Sequence, residues 1–399
     1  MTQHTVRPAA ARALGMPRSA IREIMALAAG RPEVIHLEVG EPDSPVSPAI
    51  VEAASAAMRE GWTRYAPNAG LPRLRELVAA RYSARWAHPP TADRIVVTTG
   101  AIGALWTAVM AVADPGDEVL IPDPGWPNYE SICHLAGARP VRYRLDPANG
   151  YLPSMAELRR LTGPRTKAIL INTPGNPTGA VFPASIMREL AEHAAATGTY
   201  LISDEIYEDM VFAGRHVSAG DFDIHDRLFV IAGVSKSYAM TGFRLGFLIC
   251  PKGLGAVAAS LQEPVTSCAA TPSQKAAEAA LAGDQALVGQ LCETFRRRAA
   301  LFVDKLGPGL VPVPPAGAFY TLVDIAATGM RSLEFCKLLL AEDAIAAVPG
   351  ITFGPCCDGT IRVAFSASDA QLAEAAGRLR RRIDSLASAR TRAGEGVAR

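Results

Sequence analysis

SKSYAMTGFRLG, residues 235–246, sets Lys236 directly behind the small hydroxyl residue Ser235. Arg244 follows eight residues after the lysine, just before the strand-like run 245–249. An amine that can form an imine with an aldehyde, beside an arginine and hydroxyls suited to a phosphate, describes a pyridoxal phosphate site. Alone, the string also describes a lysine in a surface loop, so the residues around it decide.

Working outward, the run 228–232 (LFVIA) reads as a strand entering the lysine segment. Further short β-branched runs at 94–98, 118–121, 167–171 and 199–203 alternate with helical patterns such as 104–112 and 186–196. Continuous apolar strands separated by helices predict a mostly parallel sheet covered on both faces. Gly100, Asn172 to Gly179, Asp204 and Lys236 all fall just after such strands, where an open α/β sheet places its ligands. The C-terminal third changes character, with helices expected at 276–300 and 332–342 and strands at 317–323 and 360–365. That pattern predicts a smaller α+β lobe, joined by the N-terminal segment 20–48, with a frayed polar tail after about residue 387.

Bulk properties bound the partners. A chain of 399 residues exceeds a single small core. Its net charge of +1 gives no electrostatic case for nucleic acid or an anionic membrane, and no apolar run is long enough to span a bilayer. Seven scattered cysteines, odd in number and without a C-x-x-C pair, fit buried thiols in a reduced cytoplasmic setting. The dispersed histidines predict no metal. Residues 1–18 carry arginines and alanines without acids, as transit peptides do, but no apolar core follows and the whole chain shares that composition.

Two further motifs carry chemistry. TPGNPTG (173–179) is a tight turn that presents the Asn176 amide to an anionic oxygen. SDEIY (203–207) puts Asp204 at a strand end and Tyr207 three residues on. Such an aspartate either caps a helix or holds a pyridine nitrogen protonated, making the ring an electron sink. With LEVGEPD (37–43), RYAPNAGLPRLR (64–75), TTGAIGAL (98–105), PDPGWPNY (122–129) and RVAFS (362–366), the chain resembles the class I/II aminotransferases of the fold-type I pyridoxal phosphate enzymes, nearly end to end and with the motifs in family order.

The resemblance implies an α/β fold of the PLP-transferase type: a large domain at 49–289 with a mostly parallel seven-stranded sheet, and a smaller α+β domain from 1–48 and 290–399. It implies that Lys236 holds pyridoxal 5'-phosphate as an internal aldimine and shuttles the proton at the substrate Cα through a quinonoid intermediate. Asp204 would pair with the ring nitrogen, Asn176 and Tyr207 with the phenolic oxygen, and Trp126 would stack on the ring. Gly100, Ala101 and Ile102 would offer N–H groups to the phosphate at a helix N-terminus, completed by Ser235 and Arg244. Tyr65 would reach the phosphate of a neighbouring subunit, which implies a homodimer with shared active sites. Arg362 would clamp the substrate α-carboxylate, with Asn176 and Trp126 beside it and Gly40 leaving room for close backbone approach.

Two positions depart from the family pattern. Where relatives acting on acidic amino acids can carry a lysine, this chain has Ile102, so a neutral or hydrophobic donor is expected to pass its amino group to a 2-oxo acid. Gly233 stands where some branches carry a phosphate-binding serine. The same scaffold hosts β-lyases and decarboxylating or oxidative deaminases, so fold alone does not choose the reaction. A non-catalytic sensor module joined to a DNA-binding domain is disfavoured, because the aminotransferase-like arm begins within some twenty residues of Met1.

Overall fold

The computed structural model describes residues 9–17 and 20–397, so half of the segment 1–18, on which the transit-peptide reading rests, lies outside that range. The described strands are β1 (Ile35–His36), β2 (Ile95–Thr99), β3 (Glu118–Asp123), β4 (Arg139–Arg144), β5 (Thr166–Asn172), β6 (Tyr200–Asp204), β7 (Leu228–Gly233), β8 (Leu245–Ile249), β9 (Tyr320–Asp324), β10 (Ile345–Ala346), β11 (Val348–Pro349) and β12 (Thr360–Ala364). Seven of them form one sheet in the order β2-β8-β7-β6-β5-β3-β4. Neighbours from β7 to β4 run parallel, while β8 is antiparallel to both β7 and β2.

The apolar strands are explained by the layers on both sides. In β5, Ile169 and Ile171 enter the core on one face and Ala168 and Leu170 the core on the other. In β7, Val230 and Ala232 face the first layer while Phe229 and Ile231 face the second. Period-2 alternation is invisible when both faces are dry.

The second lobe pairs β11, β12 and β9 antiparallel. β1 adds parallel to β10, and Ile24, Ala28, Val34 and Leu37 enter the same core as the second lobe. Helix Ala286–Leu306 crosses residue 289, the expected lobe boundary.

The helix expected over 276–300 is broken. One helix is Thr271–Ala282 and the next starts at Ala286. A Cβ at Gly283 would lie 2.7 Å from the Ala279 carbonyl oxygen, and Asp284 Oδ1 accepts from the Ala286 N–H at 2.9 Å to open the second helix. The tail is helical as well, within Asp369–Val397. Its alanines and arginines are good helix formers, and Arg390 Nη1 donates to the Ala326 carbonyl at 3.2 Å.

Candidate active site

β5 ends at Asn172, β6 at Asp204 and β7 at Gly233, so three parallel strands deliver their following loops to one edge of the sheet. A cavity of about 780 Å³ opens there. Its wall takes in Lys236, Asp204, Asn176, Tyr207, Ser235, Arg244, Arg362, Trp126, Ala101, Ile102 and Gly40, residues that lie up to 322 positions apart from Gly40 to Arg362 (362 − 40).

Lys236 Nζ donates to the Gly40 carbonyl at 2.6 Å. Burial lowers its pKa to about 8, helped by the Arg362 and Arg244 charges and opposed by Glu41 and Asp204. Asp204 is buried, and burial raises its pKa to about 6 against hydrogen bonds that favour the anion. One of those comes from Tyr129, whose hydroxyl donates to Asp204 Oδ2 at 2.8 Å. Tyr129 also meets Trp126 edge to face, with ring centroids 5.7 Å apart. Asn172 Nδ2 donates to the Asp204 carbonyl at 2.9 Å, and Asn172 Oδ1 accepts from the Asn176 N–H at 2.7 Å. One strand-end amide therefore fixes the aspartate backbone and the turn that bears Asn176.

The Arg244 end of the cavity is shaped by a missing side chain. Gly100 has a φ of +71°, and a Cβ there would stand 2.7 Å from Arg244 Nη2. Without it, Arg244 lies against the first turn of helix Gly100–Val112, whose N-terminal N–H groups lack intrahelical partners. Arg244 is itself left-handed, at φ 54°, and its Nη1 donates to the Thr241 carbonyl at 2.9 Å. Ser235 is buried beside it in the cavity wall. At Gly233 a Cβ would meet the Leu245 carbonyl oxygen at 3.1 Å and the Gly246 Cα at 3.2 Å, so a serine there would need the backbone to shift.

The opposite end holds the buried Arg362. Its Nη1 donates to Asn176 Oδ1 at 3.3 Å and its Nη2 to the Glu38 carbonyl at 2.6 Å. The guanidinium lies 4.5 Å from the centroid of the Tyr320 ring. Tyr320 also shares a 3.0 Å hydrogen bond with the Tyr207 hydroxyl, and its own hydroxyl would be 2.9 Å from a Cβ on Gly40. That contact gives Gly40 its reason to be glycine. Tyr129 and Tyr320 were not singled out from the sequence, although Tyr129 lies inside PDPGWPNY; Asn172 was placed in the candidate loop 172–179 but given no role there. Tyr65 is not brought to the cavity; it stands 89% exposed. Among the described residues no His, Cys, Asp and Glu cluster could hold a metal, and all seven cysteines are free.

A family model for Aminotransferase class I and II matches residues 32–379. The chain belongs to that family. An aspartate aminotransferase of Pyrococcus horikoshii is 34% identical over 380 residues, covering 94% of this chain and 97% of the relative. The aspartate/prephenate aminotransferase of Thermus thermophilus is 36% identical over 353 residues, covering 88% and 91%. A solved structure of Thermus thermophilus aspartate aminotransferase with maleate superposes with a TM-score of 0.89 at 34% identity, over 94% of this chain and all of the other. As a class I and II aminotransferase the protein is an enzyme dependent on pyridoxal phosphate, with the fold expected from its sequence. Its donor set suits that cofactor: a lysine with lowered pKa, a buried carboxylate in the same cavity wall, and a glycine cradle beside an arginine.

Proposed function

We propose that the enzyme moves the α-amino group of a neutral or hydrophobic L-amino acid to a 2-oxo acid, with Lys236 as the catalytic base and acid. The carrying observation is that Lys236, Asp204 and Arg362 converge on one cavity whose wall also holds Ile21, Met25 and Ile102. Lys236, Asp204, Asn176, Tyr207, Ser235, Arg244 and the Gly100 turn would hold pyridoxal phosphate, which would supply the electron sink. Arg362 takes the α-carboxylate and so aims the donor Cα–H at the lysine amine. Lys236 removes that proton and returns it, a task suited to a group titrating near neutrality. Asp204, its pKa raised to about 6 by burial, would be the group to pair with the cofactor's ring nitrogen and favour its protonated form.

A second reading has its own support. Arg22 lines the same cavity, and the relatives above are named for aspartate or for aspartate and prephenate. An arginine there could take a second carboxylate in place of the lysine absent at Ile102. A panel of leucine, phenylalanine, alanine and aspartate with 2-oxoglutarate decides between them: kcat/KM highest for an apolar donor supports the first reading, and aspartate far ahead of all others rejects it. Ammonia release without an acceptor would point to a lyase instead.

We also assign residues 49–289 to a cofactor-binding domain and 1–48 with 290–399 to the smaller one. The functional unit is a homodimer in which Tyr65 serves the neighbouring site, in keeping with its exposure. The seven free thiols support a reducing, cytoplasmic setting. No helix among the described residues is long and apolar enough to cross a membrane.

A further inference from the structure

A buried hydroxyl has one proton to give, so the direction in which it points decides what the group can bind. Two phenols meet in the cavity wall. Tyr207 and Tyr320 are both buried, and their oxygens stand 3.0 Å apart. Their rings pack edge to face with centroids 5.7 Å apart, and Phe319 braces both, 5.6 Å from the Tyr207 ring and 4.4 Å from the Tyr320 ring. One proton lies between the two oxygens, and it comes from one of them.

The surroundings favour Tyr320 as the donor. Among the described residues Tyr207 is the hydrogen-bond partner of the Tyr320 hydroxyl. With Tyr207 as donor, the Tyr320 proton is left in a buried wall without an acceptor, which is costly. The Arg362 guanidinium lies 4.5 Å from the Tyr320 ring centroid, and a cation over a phenol ring draws charge from it, making the hydroxyl a better donor and a poorer acceptor. Gly40 keeps the pair together, since a Cβ there would stand 2.9 Å from the Tyr320 oxygen and push it off Tyr207.

We propose that Tyr320 is a positioning residue for the cofactor: it donates to Tyr207 and thereby commits the Tyr207 proton to the phenolic oxygen of pyridoxal phosphate. This rests on the reading that Tyr207 binds that oxygen. Tyr320 acts through Tyr207 and not on the reacting atoms. A hydroxyl that accepts a hydrogen bond gives a stronger one. The negative charge of the phenolic oxygen is shared between the Tyr207 proton and the proton on the Lys236 nitrogen, so a stronger Tyr207 bond lets that nitrogen lose its proton more readily. The Tyr320 hydroxyl therefore lowers the pH at which the loaded enzyme changes colour.

The test follows the visible absorbance of the enzyme loaded with pyridoxal phosphate across pH, for wild type, Tyr207→Phe, Tyr320→Phe and the double variant. Tyr320→Phe keeps the ring against Arg362 and Phe319 and removes only the oxygen. The charged groups acting on Lys236, which are Glu41, Arg362, Arg244 and Asp204, are the same in all four proteins. Tyr207→Phe should raise the midpoint, and Tyr320→Phe should raise it by a smaller amount, about twofold in the proton equilibrium or roughly 0.3 pH units. In the double variant the midpoint should equal that of Tyr207→Phe alone. A midpoint unchanged in Tyr320→Phe overturns the proposal, and a lowered one means that Tyr207 is the donor, which overturns it too. A Tyr320→Phe shift that persists without the Tyr207 hydroxyl shows a direct action and has the same consequence. If Tyr207→Phe itself leaves the midpoint at the wild-type value, the assignment of Tyr207 to the phenolic oxygen fails first; if it raises the midpoint while Tyr320→Phe does not, only the role of Tyr320 is lost.

Discussion

A lysine attacks an aldehyde only after it has lost its proton, and burial has brought the Lys236 ammonium down to about 8. At pH 7 about a tenth of the amine is then neutral, against roughly four parts in ten thousand for an ordinary lysine. Because the pKa is depressed, the reactive fraction grows as pH rises and saturates above about 8. Mixing cofactor-free enzyme with pyridoxal phosphate at a series of pH values should show a loading rate that rises about tenfold from pH 6 to 7 and levels off past 8. A profile flat from 6 to 8 would contradict this assignment of the amine. Gly100 is a second residue whose effect has a definite sign. Gly100→Ala puts a methyl 2.7 Å from Arg244 Nη2, in a backbone conformation of φ +71° that alanine disfavours. Cofactor retention, followed by dialysis and absorbance, should weaken by about tenfold or more, corresponding to ~1.4 kcal/mol. Retention at the wild-type level would mean that Arg244 does not need that approach.

The element that unites the site with its support is the end of β6 and the segment behind it, where Asp204, Tyr207 and Glu208 are all buried. Arg81, on helix Pro72–Ser83, pairs with Glu208 at 3.2 Å and with Asp209, and the three side chains are 15%, 6% and 8% exposed. Arg85 reaches the same two carboxylates, and the Tyr82 hydroxyl donates to Glu208 at 3.0 Å. Removing Arg81 strands two buried carboxylates on one remaining arginine. Arg81→Ala should cost about 3 kcal/mol in a urea titration, and a loss below about 1 kcal/mol would mean that water screens the cluster. The strands at this scale were legible in the sequence because both faces are dry, which turns β5 and β7 into unbroken apolar runs. β4 was not, since its sequence RPVRYR is that of a charged edge strand and its one fully buried side chain is Tyr143. Gly100, Asn176, Asp204 and Lys236 could be placed because they sit at or just after strand ends, whereas Arg362 lies inside β12. Their partners were hidden because contact, not spacing, defines them: Tyr129 meets Asp204 across 75 positions, Tyr320 meets Tyr207 across 113, and Glu38 meets Arg362 across 324.

At the scale of the whole molecule, one predicted contact is missing from a single chain. Tyr65 is 89% exposed, and Val51, Met58 and Trp62, shortly before it in the chain, are also exposed at 47%, 52% and 38%. Large apolar side chains concentrated along one short exposed stretch mark a surface that another protein covers. If a second copy covers it, each active site draws on two chains and symmetry makes the exchange reciprocal. The exchange can be tested by mixing two damaged chains. A Lys236→Ala chain lacks the amine, and a Tyr65→Ala chain lacks the tyrosine that its partner would use. In a mixed dimer one site receives both defects, while the other combines an intact Lys236 with an intact Tyr65. Unfolding and refolding the two chains together at equal concentration should make half the dimers mixed. Turnover should then gain roughly a quarter of the wild-type value from restored sites. If Tyr65 acts within its own chain, the mixed dimer holds one site without the amine and one without the tyrosine, and activity stays at the mean of the two parents. Recovery above that mean would establish both the dimer and the direction of sharing, and its absence in a verified mixed dimer would reject the role given to Tyr65.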